Sequence, residues 1–249
     1  MSGHSKWATI KRKKAVIDAA RGRAFTQLIK EITVAARIGG GDLNGNPRLR
    51  FAIDKAKASN MPADNIKRAI MKGTGELPGV TYEDVTYEGY GPGGAALLLE
   101  SVTDNKNRTV SEIRHILERH NGKLASSGAV AFQFSKKGTI IIQKAGLGEE
   151  DVMNIVLDNG ADDMQTTDDA YEIITTPHAF ENVKKALEGK GIKIEHADIQ
   201  MVPQNHVKVE GKEAEQLLKL MEALEEHDDI QHVYANFDID DSILAAFNS

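Results

Sequence analysis

Apolar residues recur every three or four positions in the first seventy residues, which is the spacing of one face of a helix. The first stripe begins after Arg23 and consists of Phe25, Leu28, Ile29, Ile32 and Ala36. Three consecutive glycines at 39–41 end it, because glycine disfavours the helix interior. We therefore predict one helix from residue 23 to the glycines, and an extended or loosely helical segment over the polar, basic residues 1–21.

Two shorter helices are predicted next. Asn46-Pro47 supplies an N-cap followed by proline at the first helical position, and Leu49, Ile53 and Ala56 form the apolar face behind it. Met61-Pro62 starts the third helix, whose inner positions are Ile66, Ala69 and Ile70. A short turn near residues 59–61 joins the two, so the pattern predicts a three-helix unit.

Beyond residue 79 strands alternate with helices. Residues 85–90 and 95–102 form a predicted hairpin around a glycine-rich turn. Amphipathic helices are predicted at 110–120, 151–158, 178–188 and 213–226, and strands at 129–134, 139–143, near 164, and at 171–175, 192–202 and 230–239. Glycine or asparagine follows each of the first three of these helices, which predicts left-handed C-caps.

The order of these elements predicts the architecture. From 139–143 to 192–202 it is β-α-β-β-α-β, the ferredoxin-like order, and the flanking pieces supply the strands and helices of a similar sandwich. The expected fold class is α+β: an N-terminal three-helix domain followed by two ferredoxin-like α/β sandwich domains, one inserted in the other. We expect three domains: 1–75; a discontinuous one of 80–135 plus 204–249; and an inserted one, 136–203.

Charge divides the chain at about the same place. Residues 1–72, here called the head, carry 16 Lys and Arg against 5 Asp and Glu, a net charge of +11. Residues 73–249, the body, carry 15 against 32, a net charge of −17. A positive head attracts polyanions, so nucleic acid is the expected partner. The acidic body limits how much of the surface DNA or ribosomal RNA can touch, and leaves basic ribosomal proteins open as further partners.

Several function classes find little support in the sequence. There is no cysteine, hence no disulfide or thiolate site, and no apolar run approaches the length of a membrane span. The histidines and paired acids have no metal-ligand spacing, and the glycine-rich stretch 89–94 lacks the ending of a phosphate loop and is better explained as a hairpin turn. We expect a cytoplasmic protein without cofactor, metal or small-molecule substrate; an enzyme with a site in an acidic cleft is the remote alternative.

The N-terminal arm, residues 2–14, carries the first candidate contacts with nucleic acid. Its cations suit phosphates and its tryptophan offers a face for stacking on a base; the residues are Lys6, Trp7, Lys11, Arg12, Lys13 and Lys14. The alternative is a solvated tail whose tryptophan packs on its own domain.

The second and third predicted helices carry the other candidates, which are Arg48, Arg50, Lys55, Lys57, Lys67 and Arg68. Helix, short turn and helix is also the arrangement of a helix-turn-helix reader of DNA. Small helical bundles with basic exteriors are common, however, and the turn lacks glycine. Sequence-specific reading of the major groove therefore stays one of two interpretations.

Motifs along the whole chain resemble the YebC family. In the head they are Ser2-Gly3-His4-Ser5-Lys6-Trp7, Asn46-Pro47-Arg48-Leu49-Arg50 and Asn60-Met61-Pro62; in the body they are Tyr87-Glu88-Gly89-Tyr90-Gly91-Pro92-Gly93-Gly94, Thr103-Asp104-Asn105-Lys106-Asn107-Arg108-Thr109 and the run 128–138.

The resemblance implies a three-domain cytoplasmic protein without catalytic activity. Bacterial members of that family are described as probable DNA-binding transcriptional regulators. Its mitochondrial relatives are translational activators, and some bacterial members are implicated as ribosome-associated factors that relieve stalling at proline-rich stretches. Duplex DNA and ribosomal RNA therefore both remain open as the target.

Overall fold

The computed structural model describes Trp7 and residues 18–247, except residues 145 and 168. Three helices form the first unit: α1 (Asp18–Gly39), α2 (Pro47–Ala58) and α3 (Ala63–Gly73). Helix α1 packs against both of the others, and its Ile32 meets Leu49 and Ile66 in a common core. It begins five residues earlier than the apolar stripe indicated.

Short turns fix the angles between these helices. The Asn46 side-chain oxygen accepts the N–H of Leu49 at 3.0 Å, so the predicted N-cap is confirmed. At the end of α2, Asn60 adopts a left-handed φ of 59° and the N–H of Met61 donates to the carbonyl of Ala56 at 2.9 Å. This Schellman-type ending sets the direction of α3 without a glycine.

The remaining elements alternate along the chain. They are β1 (Glu83–Tyr90), β2 (Ala96–Thr103), α4 (Lys106–Arg119), β3 (Lys123–Leu124), β4 (Phe134–Gln143), α5 (Glu149–Asp158), β5 (Ala161–Thr166), β6 (Ala170–Thr175), α6 (Phe180–Gly189), β7 (Ile194–Pro203), β8 (Val207–Lys208), α7 (Gly211–Glu225), β9 (Ile230–Ala235), β10 (Phe237–Asp238) and α8 (Asp241–Phe247).

The middle of the chain forms an antiparallel sheet of order β5-β6-β4-β7, the ferredoxin-like arrangement. Helices α5 and α6 cover one face, where Ile140 and Ile173 pack against Phe180. The opening strand β4 begins at Phe134, two residues before the expected start of this domain.

The flanking segments form a second antiparallel sheet of order β3-β1-β2-β9, packed on α4 and α7. Strand β9 comes from the far side of the inserted unit, so the fold is α+β with three helices followed by two α/β sandwiches, one interrupted by the other. Leu98 and Tyr234 of this sheet share a small core with Phe134 and Val130, which joins the two sandwiches.

Some local predictions differ from the structure. Residues 129–134 were expected to form a strand, but only Phe134 belongs to one (β4), and residues 129–133 are a loop and one 3₁₀ turn, Ala131–Gln133. The reason is that buried Glu88 accepts hydrogen bonds from backbone N–H groups of this segment. The short strands β3 and β8 and the helix α8 were not predicted, and the single strand expected at 230–239 is divided into β9 and β10, which belong to different sheets. The C-caps are confirmed, with positive φ at Asn121, Gly160 and Gly191.

Among the helices of the described residues, none combines the length and the apolar character needed to cross a bilayer.

Candidate nucleic-acid interface

Three cations stand out on the surface of the two short helices. Lys57 projects from α2, and Lys67 and Arg68 project from α3. All three are exposed, and within the described part of the chain no carboxylate lies within 4.0 Å of their charged groups. Arg50 is also exposed, and its guanidinium donates to the carbonyl of Leu43 at 3.2 Å. These four of the predicted residues are available to an outside anion.

The positions follow from helix periodicity. Leu49, Ile53 and Ala56 turn one face of α2 inward, and Lys57 lies at the flank of that face, where it stays exposed. Ile66 and Ala69 do the same for α3. The outward face of α3 presents Lys67 and Arg68, whose charged groups suit phosphate oxygens and can also donate to guanine edges.

Arg48 is placed differently from what the sequence suggested. Its guanidinium makes two hydrogen bonds to Glu31, at 2.7 and 2.9 Å, and two to Asp84, at 2.7 and 2.8 Å. Hydrogen bonding to Asp84, which has the largest effect, and to Glu31 raises the pKa of Arg48 above its usual value. Arg48 ties α1 and α2 to β1 and has little capacity left for a phosphate.

Lys55 is likewise engaged inside the molecule. Its Nζ lies 2.6 Å from Asp198 Oδ2 and 4.6 Å from the ring centroid of Phe51. Asp198 belongs to β7, so this pair connects the three-helix unit with the inserted sandwich. Lys55 is therefore a contact between units in this structure rather than a free cation.

Trp7 is buried, which corrects the expectation that its ring is open to a base. Its side chain is 1% exposed, its Nε1 donates to Glu225 at 2.8 Å, and its ring lies 5.8 Å from that of Phe247. The covering residues belong to α7 and α8 of the body. The alternative, a tryptophan packed on its own domain, was also wrong, because the ring packs on the body and its partner Glu225 is 218 positions away.

The other arm cations, Lys6, Lys11, Arg12, Lys13 and Lys14, lie outside the described residues. Their contact with nucleic acid stays a prediction.

A polar cleft between the head and the body was not anticipated from the sequence. Its volume is about 710 Å³. Lys30 of α1 enters it, and its Nζ lies 2.6 Å from Asp229 Oδ1 and 2.9 Å from the carbonyl of Asp228. From the body, Arg108 and Thr109 donate to Asp229 Oδ2 at 3.0 and 2.7 Å.

These contacts determine the ionisation of Asp229. Burial opposes its ionisation, but the hydrogen bonds from Lys30, Thr109 and Arg108 outweigh burial and hold the pKa of the carboxyl well below its usual range. The motif that contains Arg108 and Thr109 was noted in the sequence, but its hydrogen bonding to Asp229 was not predicted. The spacing within that motif gives no hint of a partner 120 positions further on.

The same cleft contains a histidine and a further carboxylate. His227 Nδ1 accepts the N–H of Asp229 at 3.1 Å, so its Nε2 carries the ring proton and donates to Glu112 at 2.9 Å. Glu112, His227 and Asp229 are close enough to share an ion. A metal ion would have to displace the hydrogen bonds from Lys30 and Arg108 to Asp229. The cluster is therefore better suited to holding the head against the body.

The glycine-rich turn is confirmed as a hairpin turn. A Cβ at Gly91 would lie 2.7 Å from Leu217 Cδ1, and one at Gly93, where φ is +69°, would lie 2.8 Å from Val209 Cγ1. The glycines therefore let α7 and the segment after β8 approach the turn. This covering leaves no cradle for a phosphate at Gly91.

Comparison with known proteins places the chain among relatives over its whole length. The family model for the TACO1/YebC second and third domain matches residues 82–237, and that for the TACO1/YebC protein N-terminal domain matches residues 5–76. A probable transcriptional regulatory protein of Koribacter versatilis is 57% identical over 98% of both chains, and one of Geobacter sulfurreducens is 57% identical over 96% of both. The crystal structure of a conserved hypothetical protein from Aquifex aeolicus is 46% identical, has a TM-score of 0.81, and is matched over 91% of this chain and 94% of that one.

Proposed function

Since the chain belongs to the TACO1/YebC family, we propose that it is a non-enzymatic regulator of gene expression that binds nucleic acid through its head. Its close relatives are named probable transcriptional regulatory proteins, which makes duplex DNA the first candidate target. We propose the cytoplasm as its location.

The proposal rests on a difference among the cations of the head: some form ion pairs with the body, and others stay exposed to solvent. Arg48 and Lys55 are neutralised by Asp84 and Asp198 of the body. Lys57, Lys67 and Arg68 stay exposed on neighbouring helices that share one core. A surface of unpaired cations on a rigid bundle attracts a phosphate backbone and holds it in one orientation. We therefore assign the nucleic-acid contact to the outward faces of α2 and α3, with Arg50 as a further contact.

Ribosomal RNA is the second candidate, and the charge of the body favours it. The body, with a net charge of −17, repels a duplex laid across it and suits contact with basic ribosomal proteins. We therefore expect weak, sequence-tolerant binding to DNA.

A competition at near-physiological salt separates the two targets. Labelled full-length protein is offered ribosomes, random duplex DNA and a duplex pool enriched by repeated selection on the protein. Sequence-reading proteins hold their sites about 10³–10⁷-fold more tightly than other DNA. Recovery of one enriched motif that ribosomes do not displace decides for transcription. Displacement from every duplex by ribosomes decides for the ribosomal target, and binding to none of the three refutes the proposed function.

A further inference from the structure

Phe132 is the most exposed large apolar side chain of the described residues, at 71%. It occupies the 3₁₀ turn Ala131–Gln133, and its neighbours Val130 and Phe134 are both buried. The chain thus buries the apolar residues on either side and leaves the phenyl ring in water. Aromatic residues, phenylalanine among them, are enriched at interfaces relative to the rest of a protein surface.

The turn is held rigidly on its N-terminal side. Buried Glu88 of β1 accepts the N–H groups of Gly128 at 2.6 Å, Val130 at 2.6 Å and Ala131 at 2.9 Å. Burial opposes ionisation of this carboxyl, but the backbone hydrogen bonds outweigh burial and lower its pKa. Tyr90 adds a fourth link, from its hydroxyl to the carbonyl of Ala129 at 3.2 Å.

The C-terminal side is fixed as well. The carbonyl of Gln133 accepts the N–H of Gln204 at 2.8 Å, and its side-chain oxygen accepts from Asn236 at 3.2 Å. Strand β4 then continues from Phe134 into the sheet. Phe132 is therefore presented in a fixed position, and a partner that covers it loses little conformational entropy in ordering the turn.

The charge around this turn differs from that of the rest of the body. No Asp or Glu occurs from residue 119 to residue 148, and the cations of that run are Arg119, Lys123, Lys136, Lys137 and Lys144. Lys123 Nζ lies 5.5 Å from the ring centroid of Tyr90, the same ring that bonds Ala129. Lys136 is exposed two residues into β4. The segment that carries the exposed ring is therefore cationic along the sequence, in a body that is otherwise strongly acidic, and Lys137 of this segment is paired with Asp162 of β5.

An exposed aromatic ring on a cationic segment fits an unpaired nucleobase, since the ring can stack on the base and cations of the segment can meet the phosphates. We propose that the turn around Phe132 is a second nucleic-acid contact, which takes an unpaired base of RNA while the head holds the backbone elsewhere. This contact rests on the proposed function and extends it. An apolar pocket of a protein is the other occupant that the test must detect.

The test measures binding of full-length protein to ribosomes and to two short RNAs, a hairpin with an unpaired loop and a blunt duplex of equal charge. Phe132→Ala is expected to weaken binding to the hairpin at least about fivefold, since stacking contributes about that much per base, and to leave the duplex unaffected. Leu157→Ala, which trims another exposed apolar residue (48%), is the matched control. Melting temperatures of both variants near that of wild type would show that neither substitution disturbs the fold around the turn.

Phe132→Trp supplies a direct probe of stacking. The chain has one tryptophan, Trp7, which is buried, so the wild-type signal serves as background. We expect hairpin RNA to quench the fluorescence of the new tryptophan.

Three results would overturn the contact while leaving the proposed function in place. They are equal hairpin affinity for wild type and Phe132→Ala, an unquenched tryptophan at saturating RNA, and a loss of ribosome binding without any loss of RNA binding, which would assign the ring to a protein pocket. Failure of wild-type protein to bind any nucleic acid would instead refute the proposed function itself.

Discussion

Lys30 and Asp229 form an ion pair that water hardly reaches. The distance from Nζ to Oδ1 is 2.6 Å, and the side chains are 9% and 4% exposed. One residue lies in the first helix and the other directly before β9, 199 positions later. This desolvated ion pair holds the head against the body, so the two oppositely charged parts of the chain are packed together.

Removing the charge of Asp229 is expected to destabilise the fold. Asp229→Asn leaves Lys30 buried without a counter-ion, and breaking such a pair typically costs about 3–5 kcal/mol of unfolding free energy. Because folding depresses the pKa of Asp229, the wild-type contribution is complete above the unfolded pKa of about 4 and declines as the pH falls below it. The measurement is urea unfolding of both proteins between pH 7 and pH 3.

The stability difference between the two proteins should therefore narrow towards pH 3. Lys208→Ala, which removes an exposed partner of Glu210, should change stability little at any of these pH values. A difference between wild type and Asp229→Asn that is small at pH 7, or that widens in acid, contradicts the assignment.

Trp7 is expected to report burial rather than contact with a base. Its fluorescence should lie at the short wavelengths of an apolar environment, resist added quenchers and stay unchanged when RNA is bound. Glu225→Gln, which weakens the hydrogen bond to its indole, should lower the unfolding free energy by about 1–2 kcal/mol. The adjacent Glu226→Gln is the control, since Glu226 forms an exposed ion pair with Arg23. Quenching of wild-type Trp7 by RNA would restore the stacking interpretation.

Glu88 is expected to be required for the order of the 128–131 loop. In Glu88→Gln the side-chain N–H₂ would face backbone N–H groups that now donate to the carboxylate. We therefore expect the unfolding free energy to fall by about 2–3 kcal/mol. Hydrogen exchange of the Gly128, Val130 and Ala131 amides should accelerate. Glu83→Gln, on the same strand but exposed beside Lys106, should leave these amides protected. Slow exchange in Glu88→Gln would show that the loop does not depend on the carboxylate.

Much of this fold could be predicted because its signals are local. The apolar spacing, the Asn46-Pro47 cap and the residues after each helix specify helices and turns within a few positions. The strand at 129–134 was mispredicted because its alternating pattern is overridden by Glu88, about 40 positions earlier.

The candidate site was less predictable for the same reason. Lys55 and Lys57 differ by two positions in one basic helix, and nothing local distinguishes them. They differ in the folded protein because Asp198, 143 positions along the chain, forms an ion pair with Lys55. Charge patterning thus indicated which part of the chain meets a polyanion, whereas long-range contacts decide which side chains remain free.

The inserted sandwich is expected to fold independently. Residues 134–203 contain all four strands and both helices of their sheet, so this fragment should unfold cooperatively in a thermal scan. Residues 80–135 lack α7 and β9, which supply much of their core, and should not. A cooperative transition in this second fragment would refute the discontinuous domain.

The most direct test of the central claim is the salt dependence of nucleic-acid binding by two triple variants of equal charge. One replaces Lys57, Lys67 and Arg68 by alanine, and the other replaces the exposed body residues Lys185, Lys190 and Lys193. Each lost phosphate contact lowers the slope of log K against log salt by about 0.7–0.9. We predict a slope about two units shallower and weaker binding for the head variant, with the wild-type slope in the body variant. Equal slopes for the two variants would contradict the assignment of the interface to α2 and α3.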